Sequence, residues 1–121
     1  MIYAVDFDGT LCRNAWPGIG EPNEALIRWL KREKENGATL ILWTMREGKG
    51  LEEAIAWCAE RGLTFDAVND NAPELQTEFR NTPRKVVADK YIDDHNLLWH
   101  PWADGAFDPA FPRNWTLIGE A

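Results

Sequence analysis

The stretch Ile2-Tyr3-Ala4-Val5-Asp6-Phe7-Asp8-Gly9-Thr10-Leu11 begins with an apolar run, reaches two carboxylates and then turns at a glycine. The run is short and continuously apolar, which predicts a strand covered on both faces, as in a parallel sheet. Asp6 comes where the apolar run stops. Ligands of open α/β sheets bind beyond the carboxyl ends of the strands, so this acid is expected to face a ligand crevice rather than the core.

Asp8 follows Asp6 closely, and Gly9 allows the backbone to turn with a positive φ and to approach a ligand. Two carboxylates this close repel each other unless a cation lies between them, and hard oxygen ligands suit Mg²⁺. The competing interpretation is a strand followed by an ordinary Asp-Gly turn, in which Asp8 caps the next segment. We favour the metal-binding interpretation because the whole string follows an apolar strand.

Composition and charge narrow the functional classes. The chain has 121 residues, enough for one domain with a single core. A net charge of −7 argues against nucleic-acid binding by phosphate neutralisation, whereas a small phosphorylated substrate remains compatible because bound Mg²⁺ would set the local field. No apolar run reaches membrane-spanning length and no leader precedes the first strand, so we expect a cytoplasmic protein without a membrane partner. Cys12 and Cys58 match no metal-binding spacing and are expected to be free thiols.

A second apolar run, residues 39–43, also ends in a polar side chain, the hydroxyl of Thr44. At the end of a strand beside the first, this hydroxyl could donate a hydrogen bond to a phosphate oxygen. The competing interpretation is a capping box of Thr44 with Glu47 at the start of a helix. We favour the phosphate role, because Gly48 and Gly50 are expected to interrupt the first turn of such a helix.

A further short apolar run, Tyr91-Ile92, ends in the paired acids Asp93 and Asp94. Adjacent strand residues point to opposite faces, so we expect one acid to contact a metal directly and the other to act through water. Asp93 is the first choice for the direct ligand. The neighbouring His95 is interpreted as a loop histidine without a metal role, because Mg²⁺ prefers oxygen.

These strand ends carry a family resemblance. The string from Asp6 to Leu11 resembles the first motif of the haloacid dehalogenase-like (HAD) phosphohydrolases, and Asp93-Asp94 resemble the paired acids of their fourth motif. Thr44 matches the Thr or Ser of the second motif. The resemblance extends over residues 2–96, and the intervals between the motifs leave no room for a cap domain, as in the short, capless members.

Two lysines and one arginine are candidates for binding the substrate phosphate. The third HAD motif is a lysine upstream of the last strand, and Lys85 and Lys90 both qualify. Lys90 begins the strand, about 10 Å from Asp93 at roughly 3.3 Å per residue, which is towards the wrong end of the sheet. We favour Lys85, whose long side chain could reach Asp6 from the approach segment. Arg46 either reaches the substrate or lies exposed.

The order of predicted elements, strand, helix, strand, helix, strand and strand, implies a three-layer α/β/α domain with a mainly parallel sheet. The remaining predicted elements lie at residues 22–37, 51–58 and 65–68. The resemblance implies a Rossmann-like HAD core without a cap, a single domain over 1–121. Residues 97–121, rich in Trp and Pro, carry no recognised motif and are expected to pack on the core.

The resemblance also implies a chemistry, that of a Mg²⁺-dependent phosphatase acting on a phosphate monoester. Asp6 would attack phosphorus to form an aspartyl-phosphate, and Asp8 would act as general acid and base. Thr44 and Lys85 would hold the phosphoryl oxygens. The implied Mg²⁺ site comprises Asp6, Asp8 through its backbone carbonyl, Asp93 and Asp94.

The irregular segment of residues 12–20, here called the flap, leaves directly from the acidic strand end and is expected either to hang over the crevice or to form a plain connection. Tryptophans in irregular segments could pack loops, line a pocket or form a subunit contact in a homo-oligomer; these are Trp16, Trp99, Trp102 and Trp115. Those in predicted helices and strands are expected in the core, namely Trp29, Trp43 and Trp57.

Proteins with other functions share these sequence features. Some HAD proteins transfer phosphate between carbons or cleave carbon–halogen bonds, and the metal-free dehalogenation is disfavoured here by the acid pair Asp93-Asp94. A different class is a non-catalytic HAD-fold binding or assembly module that contacts a partner through its Trp-rich loops. Metal-dependent turnover of a phosphate ester distinguishes an enzyme from such a module.

Overall fold

The computed structural model describes residues 1–76 and 85–95, which form a parallel sheet with helices. In chain order the elements are β1 (Ile2–Val5), α1 (Glu24–Glu35), β2 (Thr39–Leu42), α2 (Gly48–Glu60), β3 (Ala67–Val68), α3 (Pro73–Gln76) and β4 (Lys90–Ile92). The strands lie in the order β3-β2-β1-β4, and each neighbouring pair is parallel. The predicted α/β class with a mainly parallel sheet is confirmed.

Strand β1 lies inside the sheet and is apolar on both sides. Tyr3 and Val5 belong to a large buried cluster that includes side chains of α1 and α2. Ala4 belongs to a second cluster on the opposite face, with Ile41 and Val86. Because successive side chains of a strand point to opposite faces, the continuous apolar run reflects two covered faces.

The chain path creates a reversal of strand order next to β1. From β1 the chain runs to β2 and then β3 on one side, with α1 and α2 on one face of the sheet. It then returns past β1 to β4 on the other side, and Val86 of this return packs on the opposite face. Right-handed crossovers require this change of face. The carboxyl ends of β1 and β4 therefore flank a topological switch point, where α/β sheets bind ligands. Part of the return, residues 77–84, lies outside the described residues.

The bounds of the helices differ slightly from those predicted. Helix α1 begins at Glu24, because the side chain of Asn23 caps it by accepting a hydrogen bond from the amide of Leu26 at 3.4 Å. Gly37, with φ of 96°, follows the end of the helix as predicted. No helix begins directly after Thr44: α2 begins only at Gly48, which has φ of 56°, so the expectation that the glycines disfavour a helix capped by Thr44 is confirmed, although α2 begins before the predicted Leu51. Its N-cap is Glu47, which makes no side-chain capping bond, and the capping box with Thr44 is absent.

The third predicted strand is shorter than expected, because a side chain replaces part of its backbone ladder. The Asp66 carboxylate accepts a hydrogen bond from the amide of Leu40 at 2.8 Å, and only Ala67–Val68 pair as strand. Both cysteines are buried free thiols, as predicted. The tryptophans predicted in the core are partly buried at the edges of the two clusters; these are Trp29, Trp43 and Trp57. Within residues 1–76 and 85–95, no helix has both the length and the apolar character needed to cross a membrane.

Candidate metal centre

Backbone pairing brings the acidic strand ends together. The amide of Asp6 donates a hydrogen bond to the carbonyl of Ile92 at 2.9 Å, directly before Asp93 and Asp94. One carboxylate oxygen from each of Asp6, Asp93 and Asp94 lies within 4.8 Å of the others. This acidic cluster lies at the switch point between β1 and β4, and it could hold a metal ion.

The cluster is electrostatically unfavourable without a cation. Burial, followed by the charge of Asp93, raises the pKa of Asp6 to about 7. Burial and a hydrogen bond with Asp93 also raise the pKa of Asp94. The Oδ1 atom of Asp94 is buried and has no hydrogen-bond partner among the described residues. Hard carboxylate oxygens, one of them without a partner, fit a divalent cation such as Mg²⁺ or Ca²⁺.

Gly9 allows the turn after β1 to approach this cluster. Its φ is 84°, as predicted for a residue that turns the chain. A Cβ atom at this position would collide with the carboxylate of Asp94. The carbonyl of the fully buried Phe7 accepts hydrogen bonds from the amides of Thr10 and Leu11 at 3.1 and 3.0 Å, which fixes the turn.

The Asp8 carboxylate is engaged by Arg46, separately from the cluster. Nε of Arg46 donates to Oδ2 of Asp8 and Nη2 donates to Oδ1, each at 2.8 Å. The Arg46 side chain is only 2% exposed, so the expectation of an exposed arginine is wrong. Its hydrogen bonds with Asp8 raise the pKa of the guanidinium. Sequence reasoning missed this pair, because the residues are distant in the chain and no local pattern links them.

Thr44 lies just beyond the carboxyl end of β2, and the acidic cluster likewise lies at the carboxyl ends of its strands. Its amide donates to the Asn69 side chain at 2.8 Å, and its hydroxyl oxygen accepts a hydrogen bond from the amide of Arg46 at 3.1 Å. A hydroxyl that accepts one bond retains its own hydrogen as a donor. The polar loop after β3 therefore supports the site: Asn69 holds Thr44, and the Asn71 side chain accepts a hydrogen bond from the amide of Val87 at 2.7 Å.

A structural comparison supports the fold. A solved structure of a conserved protein from Bacteroides thetaiotaomicron is 45% identical to this chain, with a TM-score of 0.71 over 80% of this chain and 78% of that one. The chain belongs to the same family as this conserved protein. No protein-family model matches the chain, and no curated protein matches it significantly. The relative is called only a conserved protein, so its name assigns no activity to the family.

In this member of the family, the two candidate lysines, Lys85 and Lys90, lie on different faces of the sheet. Nζ of Lys85 lies 5.1 Å from the centre of the Tyr91 ring, and Tyr91 packs on the same face as Ala4. Strand alternation places Asp6 on that face too. Lys90 is the first residue of β4 and alternates with Ile92, which packs on the helix-covered face. Within residues 1–76 and 85–95, neither lysine forms an ion pair with Asp6.

His95 lies at the rim of the cluster. Its side chain is 89% exposed, and Nε2 lies 3.6 Å from Oδ2 of Asp94. Its amide donates to Oδ1 of Asp93 at 3.0 Å, which holds the loop after β4. Trp16, on the flap, is 68% exposed. Trp99, Trp102 and Trp115 lie outside the described residues, as does the segment 97–121 that was expected to pack on the core.

Proposed function

We propose that this protein is a Mg²⁺-dependent phosphatase that hydrolyses a small phosphate monoester through an aspartyl-phosphate on Asp6. The observation that carries the proposal is the convergence of Asp6, Asp93 and Asp94 at the switch point of a parallel sheet. The resemblance of the string from Asp6 to Leu11 to the first HAD motif supports the same chemistry. Carboxylate oxygens are the ligands that Mg²⁺ prefers.

Asp6 is the proposed nucleophile because it directly follows β1 at the switch point and is only partly buried. When bound, Mg²⁺ would offset the repulsion between this carboxylate and the phosphate. The metal would be held by the oxygens of Asp6, Asp93 and Asp94, with the backbone carbonyl of Asp8 as a further ligand. A carboxylate of raised pKa is ionised more fully when a cation binds beside it.

The reaction has two displacements at phosphorus. In the first, an Asp6 oxygen bonds to phosphorus, the ester P–O bond breaks, and the leaving oxygen takes a proton from Asp8. In the second, water bonds to phosphorus and gives a proton to Asp8, while the bond between phosphorus and Asp6 breaks. Asp6 and Asp8 return to their initial states, and the net products are an alcohol and inorganic phosphate.

Thr44 and Lys85 would bind the phosphoryl oxygens. The Thr44 hydroxyl retains a hydrogen to donate at the end of β2. Lys85 lies on the face of the sheet that also carries Asp6 by strand alternation, which favours it over Lys90. Such positioning and charge stabilisation supply most of the rate gain in phosphoryl transfer.

The test is hydrolysis of p-nitrophenyl phosphate by the purified protein with Mg²⁺, and again with EDTA. We expect turnover that EDTA abolishes and that Asp6→Asn abolishes. Glu52→Gln is the matched control, because it also converts a carboxylate to an amide, but on the exposed surface of α2. Undiminished Mg²⁺-dependent activity in Asp6→Asn would show that Asp6 is not the nucleophile.

A non-catalytic binding module is the second candidate. The bidentate pair of Asp8 with Arg46 favours it, because both oxygens of the Asp8 carboxylate already accept hydrogen bonds from the guanidinium. The exposed Trp16 offers such a module an apolar contact, either with a partner or with a second copy of the chain. A module would form a stable complex or oligomer that survives Asp6→Asn and would turn over no phosphate ester.

A further inference from the structure

Arg46 is a buried cation with no role in the displacements described above. All five of its N–H donors have an acceptor in the structure. Nε and one Nη2 hydrogen bind Asp8, and Nη2 also donates to the carbonyl of Gly18 at 2.6 Å. Nη1 donates to the carbonyls of Pro17 and Gly50 at 3.3 and 3.5 Å. The guanidinium therefore joins the turn after β1, the flap and the first turn of α2.

A buried charge of this kind needs complete pairing. Removing a guanidinium from water costs several kcal/mol unless hydrogen bonds and an opposite charge compensate, at roughly the level of other buried ions. The planar fork of arginine matches both oxygens of a carboxylate, which the single ammonium of lysine cannot reproduce. The carbon of the guanidinium also lies 5.1 Å from the centre of the Phe7 ring. These contacts restrict Arg46 to one arrangement.

The flap is tied at its base by backbone bonds and at its middle by Arg46. The amide of Arg13 donates to the carbonyl of Glu21 at 2.8 Å, which closes the base. Pro17 and Gly18, at the middle, present their carbonyls to the same guanidinium that holds Asp8. A displacement of the flap would therefore disturb the group that orients Asp8.

We propose that Arg46 is a positioning residue that holds the Asp8 carboxylate in one orientation and couples it to the flap. The catalytic part of this proposal rests on the proposed phosphatase function. The fork-paired carboxylate is the form that accepts a proton from water in the second displacement. The bonds from Arg46 to the carbonyls of Pro17 and Gly18 hold the flap against the same guanidinium.

The first test compares two esters that differ in their need for a general acid. Phenethyl phosphate has an alkoxide leaving group that requires a proton, whereas p-nitrophenolate leaves readily without one. We expect Arg46→Gln and Arg46→Lys to lower kcat/KM, which reports the steps up to departure of the leaving group, by about 100-fold or more for phenethyl phosphate and by less than about tenfold for p-nitrophenyl phosphate. Asp8→Asn should give the same selectivity, and the double variant Asp8→Asn with Arg46→Gln should lose little more.

Arg61→Gln is the matched control for this test. The Arg61 guanidinium packs 3.7 Å from the centre of the Trp57 ring and donates to the carbonyl of Trp57, away from Asp8. This variant should keep the activity and the selectivity of the wild type. Equal losses of kcat/KM on both esters in the Arg46 variants, or losses that add to those of Asp8→Asn, would overturn the positioning role in favour of a purely structural one.

The second test needs no activity. Amide hydrogen exchange of the flap should become at least tenfold faster in Arg46→Gln and Arg46→Lys, whereas a peptide from α1 should exchange as in the wild type. Unchanged flap exchange in both variants would overturn the coupling. If the wild type hydrolyses neither ester, the proposed function and the catalytic part of this inference fail together, while the exchange measurement still decides the coupling.

Discussion

The amide of Asp6 donates a 2.9 Å hydrogen bond to the carbonyl of Ile92. This bond extends the parallel pairing of β1 and β4 by one step, at the point where both strands end. The residues that follow Ile92 are Asp93 and Asp94, so the pairing itself sets three carboxylates side by side. Acids from opposite ends of the described chain thus form one site without any local sequence relationship.

Asp6 should destabilise the metal-free protein at neutral and alkaline pH. Its pKa is raised from 3.8 to about 7, chiefly by burial. Between these values the folded state binds more protons than the unfolded state, so this contribution to stability is lost as the pH rises towards 7. Asp6→Asn should therefore raise the free energy of unfolding at about pH 8 by about 2 kcal/mol, less than the full shift implies because the carboxylate is partly exposed.

Denaturant unfolding in EDTA at about pH 5 and about pH 8 measures this effect. The gain from Asp6→Asn should be larger at the higher pH, and the surface control Glu52→Gln should show no such trend. An Asp6→Asn protein that is less stable than the wild type at about pH 8 would mean that the carboxylate is compensated by groups other than a metal.

Mg²⁺ should stabilise the wild type in a pH-dependent way. The cation competes with the protons that Asp6 and Asp94 bind at low pH, so it should stabilise the protein more at about pH 8 than at about pH 5. At a concentration 100 times its Kd the gain is roughly 2.7 kcal/mol. Thermal unfolding with and without Mg²⁺ measures it. Asp94→Asn should lose most of the gain, and a full gain in that variant would exclude Asp94 as a ligand.

Gly9→Ala should lower both the stability of the protein, through backbone strain, and its affinity for Mg²⁺. Gly37→Ala is the matched control, because Gly37 also has a positive φ, 96° against 84° for Gly9, but no atom within 4 Å of an added Cβ. Both variants should lose about 1 to 2 kcal/mol of stability from the left-handed conformation. Only Gly9→Ala displaces the Asp94 carboxylate, so only this variant should weaken Mg²⁺ binding, by about tenfold or more. Equal Mg²⁺ affinities in the two variants would contradict the close approach of Gly9 to the metal site.

Lys85 and Lys90 should differ in their effect on substrate binding. Loss of a charged hydrogen-bond donor to phosphate costs about 1.5 to 3 kcal/mol, so Lys85→Met should raise KM about tenfold or more. Lys90→Met should leave kinetics unchanged. Lys90 lies at the amino end of β4, whereas Asp6 follows the carboxyl end of the neighbouring β1. Steady-state kinetics on p-nitrophenyl phosphate compare the two, and a larger effect of Lys90→Met would reverse the assignment.

Local pattern predicted much of the fold and only part of the site. The apolar runs ending at Asp6, Thr44 and Asp93 correctly indicated parallel strands, because two covered faces leave a continuous apolar signal. The strand order, and with it the proximity of Asp6 to Asp93, follows from long-range pairing that no local pattern encodes. The pairing of Asp8 with Arg46 was missed for the same reason.

The start of α2 was predicted less well than the strands. Helix propensity placed it at Leu51, after the glycines, whereas the helix begins at Gly48. Glycine is unfavourable inside a helix on average, yet Gly48 begins α2 with φ of 56°. Gly50 lies in the same first turn, and its carbonyl accepts a hydrogen bond from Arg46. This contact joins residues four apart in the chain, and the propensity cost of about 1 kcal/mol for each glycine did not prevent the helix from beginning here.

The most direct measurement is a search for the phosphoryl group on Asp6 itself. The protein is mixed with Mg²⁺ and p-nitrophenyl phosphate, quenched in acid within the first turnovers, and digested with trypsin, which releases the peptide Met1–Arg13. Mass spectrometry should find that peptide carrying one phosphoryl group on Asp6, and Asp6→Asn should yield neither the modified peptide nor turnover. Mg²⁺-dependent turnover that persists in Asp6→Asn, with the peptide unmodified, would contradict the aspartyl-phosphate mechanism.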